Sequence, residues 1–301
     1  MFIIKHKKIF ISLSIVLVVL SITSLLIFGL NVGIDFKGGA LVEVVYSGER
    51  PAQEVLSKDL ESLNLGTIVL QPIGDSGYIT KSRDLNEAEH TLLLKTLSED
   101  GKSALEEKSF NSIGPSVGRE LTRKAIIALV LVSLAIIFFI AFAFRKVSHP
   151  VSSWRYGFIA IITLLHDVII PVGIFATLSH YSGAEIDTLF VVAVLTILGL
   201  SVSDTIVIFD RIRENLNNQL SSRTNVSFSE TVGHSLDQSY VRSISTSLTV
   251  ILVLLSLVFF GPVSTKYFAL MLSTGMFFGT YSSIFLASPL LVLVAQWQRR
   301  K

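Results

Sequence analysis

Two aspartates lie inside long apolar stretches of the sequence, where acidic side chains are rare. Asp167 is near the middle of the stretch 156–178, beside His166. Asp204 lies about six residues, or roughly 9 Å of helix, inside one end of the stretch 189–209. A charged side chain in hydrocarbon costs at least ~2.5–3.5 kcal/mol, so such acids are functional candidates, and carrying a proton is their simplest chemistry. The alternative is that each acid only forms a hydrogen bond with a neighbouring helix.

Arg242 is a candidate partner for such an acid, because it stands at the start of the apolar stretch 243–260. Thr246 and Thr249 follow it at i+4 and i+7, and a polar stripe of this kind can face the interior of a helix bundle. The alternative is an interfacial anchor whose charged end reaches the lipid headgroups.

The composition places these residues in a membrane protein. Half of the 301 residues are hydrophobic and only 16% are charged, which excludes an ordinary soluble domain. The chain has no cysteine, so disulfides, thiol catalysis and cysteine-ligated metals are excluded. We find no cofactor or metal signature and no sign of nucleic-acid binding. Six apolar stretches approach the ~20 residues that a bilayer-crossing helix needs, and they are 9–30, 125–144, 156–178, 189–209, 243–260 and 267–295.

Lysine and arginine are concentrated on one side of the six predicted helices. The opposite short connections contain only Lys266. Because basic residues mark cytoplasmic connections, we predict that the termini 1–8 and 296–301 and the loop 210–242 are cytoplasmic. The basic residues on this side are Lys5, Lys7, Lys8, Arg145, Lys146, Arg155, Arg211, Arg213, Arg223, Arg242, Arg299, Arg300 and Lys301.

The segment 31–124 must then lie outside the cytoplasm, and its 15 acids and 11 bases make it acidic. Its patterns predict a small α+β domain of ferredoxin-like order βαββαβ. The predicted strands are 39–47, 67–73, 77–82 and 109–113, and the predicted helices are 51–64 and 86–97. This fold hosts many functions, and the absence of a Gly-rich phosphate loop and of a His cluster favours a binding or docking module.

Small residues predict where the membrane helices pack. Gly275 and Gly279 stand four residues apart in the last stretch, followed by Ser283 and Ala287. Gly199 precedes Ser203 and Asp204 in the fourth stretch in the same way. A face of small residues lets helix backbones approach closely, and it indicates packing only.

Five segments, in order, resemble the SecF family over nearly the whole chain. The first, Gly33–Glu43 (GIDFKGGALVE), contains Asp35, Gly38 and Gly39. The most specific, Leu198–Asn215 (LGLSVSDTIVIFDRIREN), contains Ser203, Asp204, Thr205, Asp210 and Arg211. The others are SIGPSVGREL at 112–121, LLHDVIIPVG at 164–173 and QSYVRSISTSLTVILVLLSLVFFGPV at 238–263. The chain departs from the family pattern at Lys37, where Thr is usual, and at Ser203, where Asn is usual.

The resemblance implies a role in protein export that the residues alone do not reveal. SecF pairs with SecD in an assembly similar to resistance–nodulation–division transporters, and it works beside the SecY–SecE–SecG channel in the bacterial cytoplasmic (inner) membrane. The proton or sodium motive force is expected to drive translocation of secretory polypeptides, with Asp204 and Arg242 matching residues implicated in ion passage. Asp167 remains a further ion-coupling candidate. No covalent step is required, so no enzyme is predicted.

Three alternatives remain. One is a half-unit of a small-molecule exporter of the same superfamily, although such exporters usually carry two six-helix halves. Another is an intramembrane aspartyl protease that uses Asp167 and Asp204. Against it, Gly-Leu-Ser-Val-Ser precedes Asp204 where those proteases have Gly-x-Gly. The last is a scaffold that only stabilises SecD, for which Asp204→Asn would be harmless.

Overall fold

The computed structural model describes residues 2–143, 151–222 and 226–299. The predicted span end Phe144 and the basic residues Arg145, Lys146, Arg223, Arg300 and Lys301 lie outside these residues. Contacts divide the chain into two compact units, one of residues 32–127 and one of residues 1–31 and 128–301.

The membrane unit begins with a short helix α1 (Phe2–Lys5) and the first long helix α2 (Lys7–Phe28). At 1.5 Å per residue, 22 helical residues extend about 33 Å, enough to cross the hydrocarbon of a bilayer. The helix ends where Gly29 adopts a φ of 65° and its amide donates to the carbonyl of Leu25. The N-terminal apolar stretch is therefore one continuous helix.

The unit of residues 32–127 is an α+β domain. After a single helical turn α3 (Ile34–Lys37), its elements are β1 (Gly39–Tyr46), α4 (Gln53–Glu61), β2 (Val69–Ile73), β3 (Gly77–Ser82), α5 (Glu87–Leu97) and β4 (Leu105–Ile113). The sheet order is β2-β3-β1-β4, with every neighbouring pair antiparallel. This confirms the ferredoxin-like βαββαβ fold. Both helices pack on one face of the sheet, and Val42, Val44, Leu56, Leu60 and Leu93 are among its buried core residues.

Strand β4 is longer than predicted. It starts at Leu105 and not at 109, because a one-residue irregularity opposite Glu43 and Val44 lets the pairing continue past Lys108. β4 is also an edge strand, and its charged residues protect the open edge while weakening the apolar alternation that marks a strand.

The chain returns to the membrane through α6 (Pro115–Ala143) and continues with α7 (Ser153–Ser182), α8 (Thr188–Ser222) and α9 (Phe228–Phe260). The last crossing is formed by α10 (Val263–Ser282), a π-helical turn (Ser283–Ala287) and α11 (Ser288–Arg299). The described residues thus contain six helical segments long and apolar enough to span a membrane, as predicted. α7, α8 and α10 form the buried centre of this unit, whereas α2, α6 and α9 expose apolar side chains along most of their length, as lipid-facing helices do.

Helices α8 and α9 extend well beyond the predicted spans. The predicted loop 210–242 is largely helical, because α8 runs to Ser222 and α9 begins at Phe228. A capping box between Ser227 and Glu230 starts α9. The side-chain amide of Asn215 donates to Ser235 and Gln238, at 2.8 and 2.9 Å, and joins the two extensions.

The π turn interrupts the sixth crossing just before Pro289. Proline lacks the amide hydrogen that an α-helix would direct to the carbonyl four residues earlier, so the regular ladder cannot continue there. The hydroxyl of Ser288 donates to the carbonyl of Ser283 at 3.3 Å and satisfies part of the disturbed backbone. Single π turns of this kind occur often at functional sites.

Candidate functional site

Asp167 joins three membrane helices. It lies in α7 and is 0% exposed. Its Oδ2 accepts hydrogen bonds from the hydroxyls of Ser201 on α8 and Ser282 on α10, the second at 2.7 Å. Its Oδ1 is 2.8 Å from Nδ1 of His166. A buried carboxylate is tolerated only when it is hydrogen-bonded, and here three side chains bond it.

His166 completes this cluster and leaves one nitrogen without a partner. Its Nε2 is buried and has no hydrogen-bond partner among the described residues. The ring lies nearly parallel to that of Tyr281, with 6.1 Å between centroids. Tyr281 in turn joins α10 to α2, because its hydroxyl accepts from Ser14 and donates to the carbonyl of Phe10, both at 3.3 Å.

Asp204 occupies a more open position. It lies on α8, half-buried, and its Oδ2 accepts a hydrogen bond of 3.3 Å from the hydroxyl of Thr280. Thr280 also forms a short hydrogen bond with Ser247 of α9. Asp204 therefore contacts α10 directly and α9 through one hydroxyl.

Arg242 acts on Asp204 at longer range. The two interact electrostatically, and no direct ion pair joins them within the described residues. Arg242 is exposed, as are Thr246 and Thr249, whose hydroxyls donate to carbonyls of their own helix. In the chain by itself the stripe lies on the outer face, as the alternative of an interfacial anchor would place it, and not inside the chain's own bundle.

Sequence reasoning missed the hydroxyl run of α10 as a unit. Thr280, Tyr281, Ser282 and Ser283 are consecutive, and each bonds a side chain from another helix. The sequence pattern places Ser283 only on a small packing face, yet its hydroxyl is 2.9 Å from that of Thr205 on α8. The available signal was four successive hydroxyl side chains in an apolar stretch, where each needs a partner.

Two of the three predicted packing glycines lie in a tight contact. A β-carbon added to Gly275 would come within 2.2 Å of the Ile197 side chain, and one added to Gly279 within 3.3 Å of Ser201. Both glycines thus let α10 approach α8 closely. Gly199 was expected to pack in the same way, but it faces open space in this chain, with nothing within 4 Å.

Glycines also shape the start of the α+β domain. Gly38 and Gly39 have φ of 81° and 138°, which side chains rarely adopt. A β-carbon on Gly38 would lie 2.9 Å from the Cα of Pro115, and one on Gly118 would lie 2.9 Å from the Gly38 amide nitrogen. The glycine pair therefore allows the chain to enter β1 directly against the first turns of α6.

The remaining motif residues are not part of the hydroxyl run. Asp35 is in the single turn α3, and the neighbouring Lys37 is exposed. On α8, Asp210 pairs with Arg213 at 2.5 Å and Arg211 with Glu214 at 2.8 Å. Both departures from the family pattern, Lys37 and Ser203, are on exposed surface of this chain. Within the described ranges, no group of three or more His, Asp and Glu residues could hold a metal ion.

The arrangement contains two carboxylates in different settings. Asp167 is enclosed and bonded by three side chains, whereas Asp204 has one long hydrogen bond, an open side and a distant arginine. Such a pair suits the movement of a proton or small cation at Asp204 better than covalent chemistry, because a substrate has no access to the enclosed Asp167.

Comparison with known proteins identifies the family. Residues 93–297 match the C-terminal region of the protein export membrane proteins SecD and SecF, and residues 23–48 match the SecD/SecF GG motif. The protein translocase subunit SecF of Thermobaculum terrenum is 43% identical, with 99% of this chain and 94% of that protein covered. The subunit SecF of Anaerolinea thermophila is 33% identical, with 95% and 92% covered.

Solved structures agree. The crystal structure of a Thermus SecDF, described as a translocon-associated membrane protein, superimposes with a TM-score of 0.80 at 29% identity. The match covers 98% of this chain and 38% of that longer chain. The family models, the two SecF relatives of similar length and the fold all agree, and the chain belongs to the SecD/SecF family of protein-export membrane proteins.

Proposed function

We propose that this chain is a SecF-type subunit of the protein translocase, in which Asp204 couples a proton or sodium gradient to polypeptide export. The carrying observation is the position of Asp204, half-buried beside Thr280 and within electrostatic reach of the exposed Arg242. A carrier must bind its ion and release it. Asp204 has a side open to a partner or to water, and the enclosed Asp167 has none.

A change of charge at Asp204 would link ion binding to helix movement. An ionised carboxylate favours a polar setting, whereas its neutral form tolerates a dry helix interface, so ion binding changes which packing is favoured. One charge that crosses 100 mV supplies ~2.3 kcal/mol, enough to bias a domain movement. The α+β domain, which we place outside the cytoplasm, would then grip the emerging chain or block its return.

The outer face of α8 and α9 is where we place SecD. Gly199, Ser203 and Arg242 are exposed on membrane helices, and an exposed arginine there is costly unless a partner or headgroups cover it. The SecDF protein of Bacillus subtilis is 33% identical to this chain. The match covers 94% of this chain and 37% of that longer protein. SecD is thus the first partner we propose, followed by the SecYEG channel, the translocating polypeptide and lipid.

Location and topology follow from this function. We place the chain in the bacterial cytoplasmic membrane with both termini in the cytoplasm, as the distribution of Lys and Arg favours. The protease alternative is less well supported, because catalytic aspartates must share a proton, whereas Asp167 is bonded to His166, Ser201 and Ser282.

The test is export in cells depleted of native SecF and complemented with this chain. We expect Asp204→Asn, at matched abundance, to lose the gradient-dependent part of export while SecD still co-purifies. Asp237→Asn is the matched control, because it makes the same chemical change at an exposed residue of α9. Normal export by Asp204→Asn would leave the chain as a scaffold for SecD and remove the carrier role.

A further inference from the structure

Besides the bond between Thr205 of α8 and Ser283 of the π turn, two polar links join helices α8 and α10. On α8, Ser201 and Asp204 are three residues apart and so share a face. On α10, Thr280 bonds Asp204, and Ser282 bonds the same Asp167 oxygen as Ser201. These five residues, Ser201, Asp204, Thr280, Ser282 and Asp167, form a closed polar ring through two helix backbones. A displacement of α10 from α8 at either link requires that link to open.

The two links differ in strength. The Asp167 link is fully buried and has two bonds to one oxygen, one of 2.7 Å from Ser282 and one from Ser201. The Asp204 link is one bond of 3.3 Å on a half-buried side chain. Since hydrogen bonds to a carboxylate are normally 2.5–3.0 Å, the Asp204 link is the weaker and opens first.

The charge of Asp204 sets the direction of the bonds beside it. An ionised carboxylate can only accept, so Thr280 must donate to Asp204, and the hydroxyl of Ser247 must then donate to Thr280. A neutral Asp204 can donate to Thr280, which can then donate to Ser247. Protonation of Asp204 thus permits the bonds of a hydroxyl chain that reaches α9, the helix of Arg242, to reverse direction.

The π turn lets α10 shift without moving the helix that follows it. It begins at Ser283, directly after the ring residue Ser282, and lies between α10 and α11. Such a turn carries an extra residue that an α-helix can absorb or release by a local adjustment. Movement of α10 at the Asp204 link therefore need not displace α11.

We propose that Thr280 and Ser282 are positioning residues for ion coupling, with Ser282 and Ser201 fixing α10 to a pivot at Asp167 and Thr280 forming the link that the charge of Asp204 switches. The inference rests on the proposed carrier role of Asp204. The charged and titratable groups that face Asp204 from neighbouring helices are Arg242 of α9 and Asp167 of α7. His166 lies beyond Asp167, and Tyr281 of α10 bonds to α2.

The experiment measures export and proton uptake as a function of external pH in membranes that contain the full chain and SecD. We expect Thr280→Val to lower coupled export and change the pH profile, and Thr280→Ser, which keeps the hydroxyl, to restore both. Ser282→Ala is expected to lower export per proton taken up. Ser273→Ala is the matched control, a buried α10 serine with no hydrogen-bond partner among the described residues.

The outcomes separate this inference from the proposed function. If Asp204→Asn abolishes gradient-dependent export while Thr280→Val and Ser282→Ala behave like Ser273→Ala, the carrier role stands and the positioning role is wrong. If Thr280→Ser fails like Thr280→Val, the effect is one of packing, and the positioning role is again wrong. If Asp204→Asn exports normally, the carrier role itself is wrong.

Discussion

Asp167 and Asp204 are similar in sequence context, and their surroundings give them different roles. Both lie in apolar helices, but three side chains bond Asp167, whereas Thr280 is the single bonding partner of Asp204 among the described residues. A buried carboxylate with three hydrogen bonds is strongly held, because separating it leaves several polar groups unsatisfied at once. We therefore expect Asp167 to stabilise the bundle, and we propose the ion carrier role for Asp204 alone.

Replacement of each acid tests this difference. We expect Asp167→Ala to lower the free energy of unfolding by about 2 kcal/mol, since it removes three hydrogen bonds at roughly 0.6 kcal/mol or more each within a membrane. Asp204→Ala removes one and should cost about a third as much. Unfolding of the purified chain in mixed micelles with increasing SDS measures both. Equal losses would contradict the pivot role of Asp167.

At the scale of elements, charged residues at the N-terminus of helix α5 make the stability of the α+β domain depend on pH. Asn86 and Glu89 form a capping box, and Arg83 pairs with Glu89. The hydrogen bond from Arg83 and, after it, the bond to the Asn86 amide lower the pKa of Glu89 below its ordinary value. A lowered pKa means that the ionised group stabilises the folded state above its unfolded-state pKa, and that this contribution is lost as the pH falls through the folded value.

We expect thermal stability of the α+β domain to fall as the pH drops below about 4.3, the usual value for glutamate, with Glu89→Gln showing a smaller fall. The pair is exposed, so added salt should weaken the effect. The measurement is a set of melting curves of the purified chain from pH 7 to pH 3. A parallel decline in parent and Glu89→Gln would show that other carboxylates control acid stability. Lys95→Gln, at an exposed ion pair on the same helix, is the control.

The sequence predicts these elements well where periodicity is local. Hydrophobic runs and turn residues were enough for the βαββαβ order and for six membrane helices. The start of β4 was misplaced, because charges on an edge strand hide its alternation. The π turn and the hydroxyl run depend on which residues of distant helices face Thr280 and Ser282, and that is set by packing. Asp204 and Arg242 could be singled out as charges in apolar surroundings, whereas the sequence left open whether Arg242 faces the bundle or the outside.

At the scale of the whole molecule, the membrane unit is closely packed inside, whereas its outer face exposes small and polar residues that nothing in the described part of this chain covers. Side chains of α8 occupy the space beside Gly275 and Gly279, whereas a β-carbon added to Gly199 would have nothing within 4 Å. Ser203, four residues after Gly199 on α8, is also exposed, and so is Arg242 of α9, which interacts electrostatically with the adjacent Asp204. A small residue beside exposed polar groups on a membrane helix is typical of a surface where another helix packs. This is the surface that we assign to SecD.

Leucine at two glycines separates packing within the chain from packing against its partner. Gly275→Leu should destabilise the chain itself, because even a β-carbon would lie 2.2 Å from the Ile197 side chain. Gly199→Leu should leave the stability of the purified chain unchanged, since its site is open, yet reduce co-purification of SecD and export. Melting curves measure the first effect and affinity purification from membranes the second. If Gly199→Leu retains SecD fully, the partner covers another face, and the exposed Arg242 must be satisfied by lipid headgroups or water.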